Sequence, residues 1–225
     1  EGFAAAPFTP QSTVFPDLPF DVTFGPGILP SCTVRFAPAL GAFIGGDIAA
    51  GLCALGFGGV GQAKTADGRC ELLVDLGTNA EMVLAHDGVF HTASAAAGPA
   101  FEGGHISCGT GYAPGAVTAV RFEGGRFAWD LAPGGELSGI CGSGLLDFVA
   151  CAREAGLINR DGSIAPVCEE SGILLDHAGR VRLLAADVRE FQLAKAAIRA
   201  GLELLLSEAK VPESAVTAVH LAGGF

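Results

Sequence analysis

The sequence predicts an α/β fold with a mixed sheet. Three observations carry this reading. Apolar runs of strand length are joined by tight, Gly-containing turns. Two amphipathic helical segments follow them. Half of the 225 residues are hydrophobic, enough for a sizeable core. The 34 glycines are roughly twice the usual share, so many turns or close backbone approaches are expected.

Residues 1–38 are rich in Pro and Phe. Proline at this density forbids long helices. An extended, surface-wrapping segment is expected, with one short strand near Cys32–Phe36. The apolar run Leu40–Gly61 has the length of a membrane span, and Gly41 and Gly45 form a G-x-x-x-G. Asp47 near its centre would cost about 3 kcal/mol there, and no basic flank precedes it. Its eight glycines weaken any long helix. The run is therefore read as a buried helix over Gly46–Leu55.

Glu71–Leu76 reads as a strand and Glu81–Ala85 as the next. His86-Asp87-Gly88 reads as a hairpin turn, because Asp-Gly accepts positive φ angles. Val89–Ser94 returns as a third strand. Ala116–Phe122 and Arg126–Leu131 form another strand pair around Glu123-Gly124-Gly125. Ser143 is expected to cap a helix to Glu154, ended by Gly156. Asp187-Val-Arg-Glu190 reads as a capping box opening a helix to Ala209, with Val188, Phe191, Ala194, Ile198, Leu202 and Leu205 on its buried face. Val216–Leu221 is the last strand, and Gly223-Gly224 the turn after it.

Charge and cysteine usage narrow the function. A net charge of -11 argues against nucleic acid and anionic membranes as partners. It also repels free ATP at long range, so a nucleotide site needs local backbone donors and Mg2+. Seven cysteines, an odd count without a C-x-x-C pair, argue against a zinc site, an iron–sulfur cluster in this segment and a secreted disulfide framework. Most are expected as small buried residues. With no signal peptide, a cytoplasmic, reducing setting fits best. The chain starts without Met and stops just after Gly224, so both ends are expected to be cuts in a longer protein.

The sharpest chemical signal is Asp75-Leu-Gly-Thr-Asn-Ala-Glu81 between two strands. Gly77 lets the backbone approach an anion, and backbone N–H groups with the Thr78 hydroxyl can donate to it. Asp75 at the strand end can hold Mg2+ through water. An ordinary Gly turn is the bland reading. The second signal is Val219-His-Leu-Ala-Gly-Gly224, a strand ending in small residues where adenosine could lie against bare backbone. A tight strand-to-helix turn explains it equally well.

Together, about 145 residues apart, the two signals resemble the sugar kinase/actin superfamily. The resemblance narrows with Ala97-Gly-Pro-Ala-Phe-Glu-Gly-Gly104, Ile106-Ser-Cys-Gly109, Pro114-Gly-Ala116, Gly139-Ile-Cys-Gly-Ser-Gly-Leu145, Gln192-Leu-Ala-Lys-Ala-Ala-Ile-Arg-Ala-Gly201 and Leu221-Ala-Gly-Gly-Phe225. In this order they are similar to the C-terminal region of the reductive activators of corrinoid proteins. Gly45-Gly-Asp-Ile-Ala-Ala-Gly51 resembles the segment just before that family's second lobe.

The resemblance implies an α/β, ribonuclease H-like (actin/sugar kinase-type) lobe with a mixed sheet. The tail of a first lobe and a connecting helix would occupy residues 1–62, and the second lobe residues 63–225. It implies an ATPase that returns Co(II) corrinoid proteins to Co(I) in methyl-transfer systems. Its cofactors would be ATP and Mg2+, with a [2Fe–2S] cluster only in a domain outside this chain. A corrinoid protein is the implied partner, and a homodimer is open. Asp75, Gly77, Thr78 and Asn79 would form a phosphate loop, and Gly223 and Gly224 would touch adenosine. Glu102 could face phosphate or Mg2+, or belong to a structural loop. Gln192, Lys195 and Arg199 share one helix stripe and could clamp the nucleotide, or form a solvated face. The family's other phosphate loop is not found in this sequence. Another superfamily kinase or ATPase, or a lobe that only docks a corrinoid protein, remain the alternatives.

Overall fold

The computed structural model describes residues 18–19, 33–34, 39–41, 43–57 and 69–224. Most of the Pro- and Phe-rich segment, the Gly-rich end of the apolar run and Phe225 lie outside the described residues. The elements begin with β1 (Leu18–Pro19), β2 (Thr33–Val34) and α1 (Gly46–Ala54). Then come β3 (Cys70–Leu76), β4 (Asn79–His86), β5 (Val89–Ala96), β6 (Ala116–Glu123), β7 (Arg126–Leu131) and β8 (Gly139–Ile140). The remainder is α2 (Gly142–Glu154), β9 (Ile173–Leu174), β10 (Arg182–Leu183), α3 (Ala185–Ala209) and β11 (Ala218–Gly223). β1 and β2 pair antiparallel, at the strand expected near Cys32–Phe36.

The chain forms two compact units that interleave in sequence. One holds Glu1–Asp75, Glu81–Ser94 and Glu203–His220; the other holds Leu76–Ala80, Ala95–Leu202 and Leu221–Phe225.

The first unit contains most of a four-stranded sheet in the order β11-β3-β4-β5. β3 lies between two neighbours, so Leu72, Leu73 and Val74 are all buried, one face and the other. Two-residue links join β3 to β4 and β4 to β5, which only antiparallel neighbours allow. The second link, Asp87-Gly88, has φ +47 and +76, the mirror-image turn that suits a twisted hairpin. In α1, Ile48, Ala49 and Leu52 are buried. A Cβ on Gly51 would stand 3.7 Å from Leu73 Cδ2, so the helix meets β3 through its small residues. No described helix is long and apolar enough to cross a membrane.

The second unit is organised on a three-stranded sheet, β7-β6-β8. β6 runs antiparallel to β7 and parallel to β8. The β6–β7 hairpin closes on Gly124 and Gly125 at φ +57 and +79. Phe127 stands edge-on against the buried Phe148 of α2, centroids 5.2 Å apart. A Cβ on Gly144 would come within 2.3 Å of the Val117 carbonyl oxygen. Only glycine lets the first turn of α2 lie this close to β6.

Two helix starts differ from expectation. Cys141, not Ser143, occupies the cap position of α2. Ser143 lies inside the first turn and donates to the Thr118 carbonyl at 2.8 Å. α3 starts at Ala185, so Asp187 is its third residue and not its cap. There it accepts from the Leu184 amide at 2.8 Å, the reach-back half of a capping box. Of the expected buried face, Val188, Ala194 and Leu205 are buried, whereas Phe191, Ile198 and Leu202 are only half-buried.

The cysteines differ too. Cys70 and Cys141 are buried, Cys108, Cys151 and Cys168 are half-buried, and Cys53 is exposed.

Candidate functional site

The candidate phosphate turn is Gly77-Thr78, between β3 and β4. The Gly77 amide donates to the Asn79 carbonyl at 3.1 Å, which closes the turn. The Gly98 amide donates to the Thr78 carbonyl at 2.8 Å, which ties the turn to a second segment. Gly98, at φ +79, precedes a 3-10 turn over Pro99–Glu102. Ala100 and Phe101 are buried, and Phe101 meets Phe191 of α3 edge-on at 5.7 Å. The buried residues thus fix the end of that turn, the exposed Glu102. Its carboxylate accepts a hydrogen bond from the Thr78 hydroxyl. A Cβ on Gly77 would stand 3.3 Å from the Asn79 oxygen and 3.5 Å from Glu102 Oε1.

Two donors that the sequence assigns to an anion are therefore engaged inside the loop. A hydroxyl that gives its single proton to a carboxylate keeps acceptor capacity only. That chemistry suits the water shell of a cation better than a phosphate oxygen.

Gly223 is held by the fold. Its φ is +129, and a Cβ would fall 2.1 Å from the Leu76 carbonyl oxygen. Gly224 is different, with nothing within 4 Å of a Cβ built there. A flat group could rest on its backbone.

Asp75, half-buried, stands one residue before the end of β3. Burial raises its pKa, and Asp47 raises it further. Glu81 is raised by burial first, against the pull of its own backbone amide, with Asp47 and Asp75 adding to the rise. Burial first and neighbouring carboxylate charge second thus push Asp75 and Glu81 towards the protonated form, a condition that a divalent cation relieves. Among the described residues no group of three His, Cys, Asp or Glu side chains could hold a metal ion directly. An ion here would be held through water.

The remaining candidates separate. Asn79 is exposed at the start of β4, and Lys195 is exposed in the middle of α3. Gln192 does not share a clamp with it, because its side-chain amide donates to the Asp161 carbonyl at 2.9 Å. The Gly-rich tract before α2 is structural: a Cβ on Gly139 would lie 2.9 Å from the Cys108 oxygen. The same holds for Gly109, whose Cβ would lie 2.2 Å from the Gly103 oxygen.

Sequence reasoning missed the buried carboxylate of Asp187. Besides Leu184, it accepts from the Ser107 amide at 2.7 Å and the Ser107 hydroxyl at 2.6 Å. It fastens the segment after Gly104 to the start of α3. No local pattern pairs residues 80 positions apart. The grouping of Asp47 with Asp75 and Glu81 was also missed, although an Asp inside an apolar run was a usable signal.

Comparison with known proteins bears on the family and the fold. A family model described as the C-terminal domain of RACo, the ASKHA domain, matches residues 69–225. A corrinoid activation enzyme, RamQ of Eubacterium limosum, is 30% identical over 220 residues, covering 88% of this chain and 36% of that protein. The [Co(II) methylated amine-specific corrinoid protein] reductase of Methanosarcina barkeri is 30% identical over 227 residues, covering 91% of this chain and 40% of that protein. A solved reductive activator for corrinoid, iron-sulfur protein superposes with a TM-score of 0.81 at 30% identity, over 98% of this chain and 37% of its own. The chain thus spans well under half the length of each of these relatives.

Proposed function

This chain belongs to the family of the RACo C-terminal ASKHA domain, and from that membership we propose that it is the nucleotide-binding part of an ATP-dependent reductive activator. The activator returns Co(II) corrinoid proteins to Co(I) in methyl-transfer systems. The names of its relatives, a corrinoid activation enzyme and a corrinoid protein reductase, support the reaction. What supports the nucleotide site is the tight Gly77-Thr78 turn between β3 and β4, with the Glu102 carboxylate beside it as an acceptor for the water shell of a phosphate-bound cation.

Roles follow from the chemistry. Gly77, Thr78 and Asn79 present the turn to the phosphates of ATP, with Lys195 adding a positive charge. Gly224 offers bare backbone to adenosine, and Gly223 sets the bend that exposes it. Asp75 holds Mg2+ through water, and Glu102 orients a water towards the terminal phosphate. Mg2+ would neutralise phosphate charge during transfer. The residue set suits it: oxygen acceptors, with carboxylates whose charge is disfavoured without a cation. Residues 1–62 are assigned to the tail of a first lobe and 63–225 to the second. A [2Fe–2S] domain would lie elsewhere in the complete protein. The complete protein would work in the cytoplasm on a corrinoid protein partner, as a monomer or homodimer.

One observation favours a second reading. The Gly77 amide and Thr78 hydroxyl are already engaged, as in a lobe that docks a corrinoid protein without turning over ATP. One experiment separates the two. The complete protein, a reductant and a Co(II) corrinoid protein are mixed with and without Mg-ATP, and Co(I) is followed by its absorbance. The proposal requires Co(I) to form faster with ATP and phosphate to be released. Co(I) formation indifferent to ATP would sink it.

A further inference from the structure

Asp187, the third residue of α3, is only 2% exposed. A carboxylate taken out of water costs free energy unless its oxygens are satisfied. Three donors satisfy this one: the Ser107 amide at 2.7 Å, the Ser107 hydroxyl at 2.6 Å and the Leu184 amide at 2.8 Å. The Leu184 bond is local, within the corner between β10 and α3. The two bonds to Ser107 are not, for Ser107 is an exposed residue 80 positions away. The Cys108 thiol adds a tether to the same corner, donating to the Arg182 carbonyl at 3.1 Å.

This grip reaches Glu102 through main chain. A Cβ on Gly103 would lie 2.5 Å from the Thr110 amide nitrogen, and one on Gly109 would run into the Gly103 carbonyl. The two ends of the tract Gly103–Thr110 thus touch backbone to backbone, with no side chain between them to yield. The Gly103 amide donates to the Ala100 carbonyl at 3.2 Å and the Gly104 amide to the Pro99 carbonyl at 2.8 Å, which closes the turn that ends in Glu102. On the other side of Glu102, Phe101 meets Phe191 edge-on. Asp187 and Phe191 are one helical turn apart, on one face of α3. That face therefore holds the loop at two points, one before Glu102 and one after it. Thr78, Glu102, Ser107, Asp187 and Phe191 all belong to the second unit.

We propose that Asp187 is a positioning residue for Glu102. Through Ser107 it fixes the loop so that the Glu102 carboxylate stays at the Thr78 hydroxyl, aimed at the phosphate turn. This role rests on the one given above to Glu102. Asp187 touches neither nucleotide nor water there; it acts through the loop alone.

The test is a double-mutant cycle on ATP turnover by the complete protein. Asp187→Asn sets a buried amide against the donors and costs stability, so the deciding variant is Ser107→Ala, which keeps two of the three bonds. Its kcat should fall at least about tenfold, the scale of a displaced catalytic group, with KM for ATP nearly unchanged. Ser107→Thr, which keeps the hydroxyl, should restore kcat. In a Glu102→Gln background Ser107→Ala should change kcat no further. A parental kcat in Ser107→Ala, a loss expressed in KM alone, or an undiminished loss in the Glu102→Gln background would overturn the proposal while leaving the role of Glu102 standing. Parental turnover in Glu102→Gln itself would sink that role, and the proposal with it.

Discussion

Thr78 and Glu102 are joined by a hydrogen bond in which the threonine hydroxyl donates to the glutamate carboxylate. Glu102 is exposed, so this contact contributes little to stability, while Phe101 beside it is buried and does. Glu102→Gln keeps an acceptor for Thr78 but removes the charge. In the complete protein, ATP turnover should fall about a hundredfold or more, the scale of a lost acid–base or water-orienting group. The melting temperature should stay within about 2 °C. Phosphate release and differential scanning fluorimetry read the two effects. Turnover close to that of the unaltered protein would return Glu102 to a structural loop.

Gly223 and Gly224 should part company on substitution. A Cβ at Gly223 meets the Leu76 carbonyl at 2.1 Å, and its φ is +129; at Gly224 it meets nothing within 4 Å. Gly223→Ala should cost about 3 kcal/mol or more in urea unfolding. Gly224→Ala should unfold like the parent but bind nucleotide less tightly. Similar stability losses in both would remove the distinction between a fold glycine and a site glycine.

Asp75 makes a pH dependence. Asp75 and Glu81 both have pKa values raised above their ordinary 3.8 and 4.5. The folded state therefore holds these protons more tightly than the unfolded state. Stability from this source is present at low pH and is lost as pH rises through the raised values. Asp75→Asn removes one charge from the group. Its melting temperature should match or exceed the parent's at pH 7, with the difference shrinking towards pH 4. Mg2+-dependent nucleotide binding by the complete protein should weaken in the same variant. A variant less stable than the parent at pH 7 contradicts the mutual repulsion.

The sequence shows some of these features and hides others for physical reasons. α1 ends within a residue of its expected end, and β7 matches its expected span. Both are bounded by local signals: a break in apolar periodicity, or a Gly-Gly turn. β8, β9 and β10 are two residues each, too short for any alternation to register. Ser143 looked like a cap because its type suits one, but a carbonyl of β6 takes its proton. The Asp75–Asn79 turn was legible since strand, Gly and Thr are adjacent. The pairing of Glu102 with Thr78 was not, because it depends on where buried Phe101 packs.

Lys195 supplies a test with no structural cost. It is exposed on α3, and truncating an exposed lysine changes stability by less than about 0.5 kcal/mol. Lys195→Ala should weaken ATP binding by the complete protein about tenfold, the loss of one charge-assisted contact. Its melting temperature should be nearly that of the parent. Identical affinities would place Lys195 on a solvated face.

The affinity of this chain by itself for ATP follows from donor count. Stabilising a triphosphate requires several converging donors and Mg2+. Among the described residues the candidate site has one such turn, whose Gly77 amide and Thr78 hydroxyl already have partners. The chain also spans only 36% and 40% of its two curated relatives, so further donors can come from the rest of a complete protein. Losing half of the donors should cost several kcal/mol, on the order of a thousandfold in affinity. The chain alone should therefore bind Mg-ATP at about millimolar Kd and hydrolyse it negligibly. Titration calorimetry of the chain, beside the complete protein, measures both affinities. Micromolar binding by the chain alone would show that its own turn suffices, and the role given to donors outside it would have to be withdrawn.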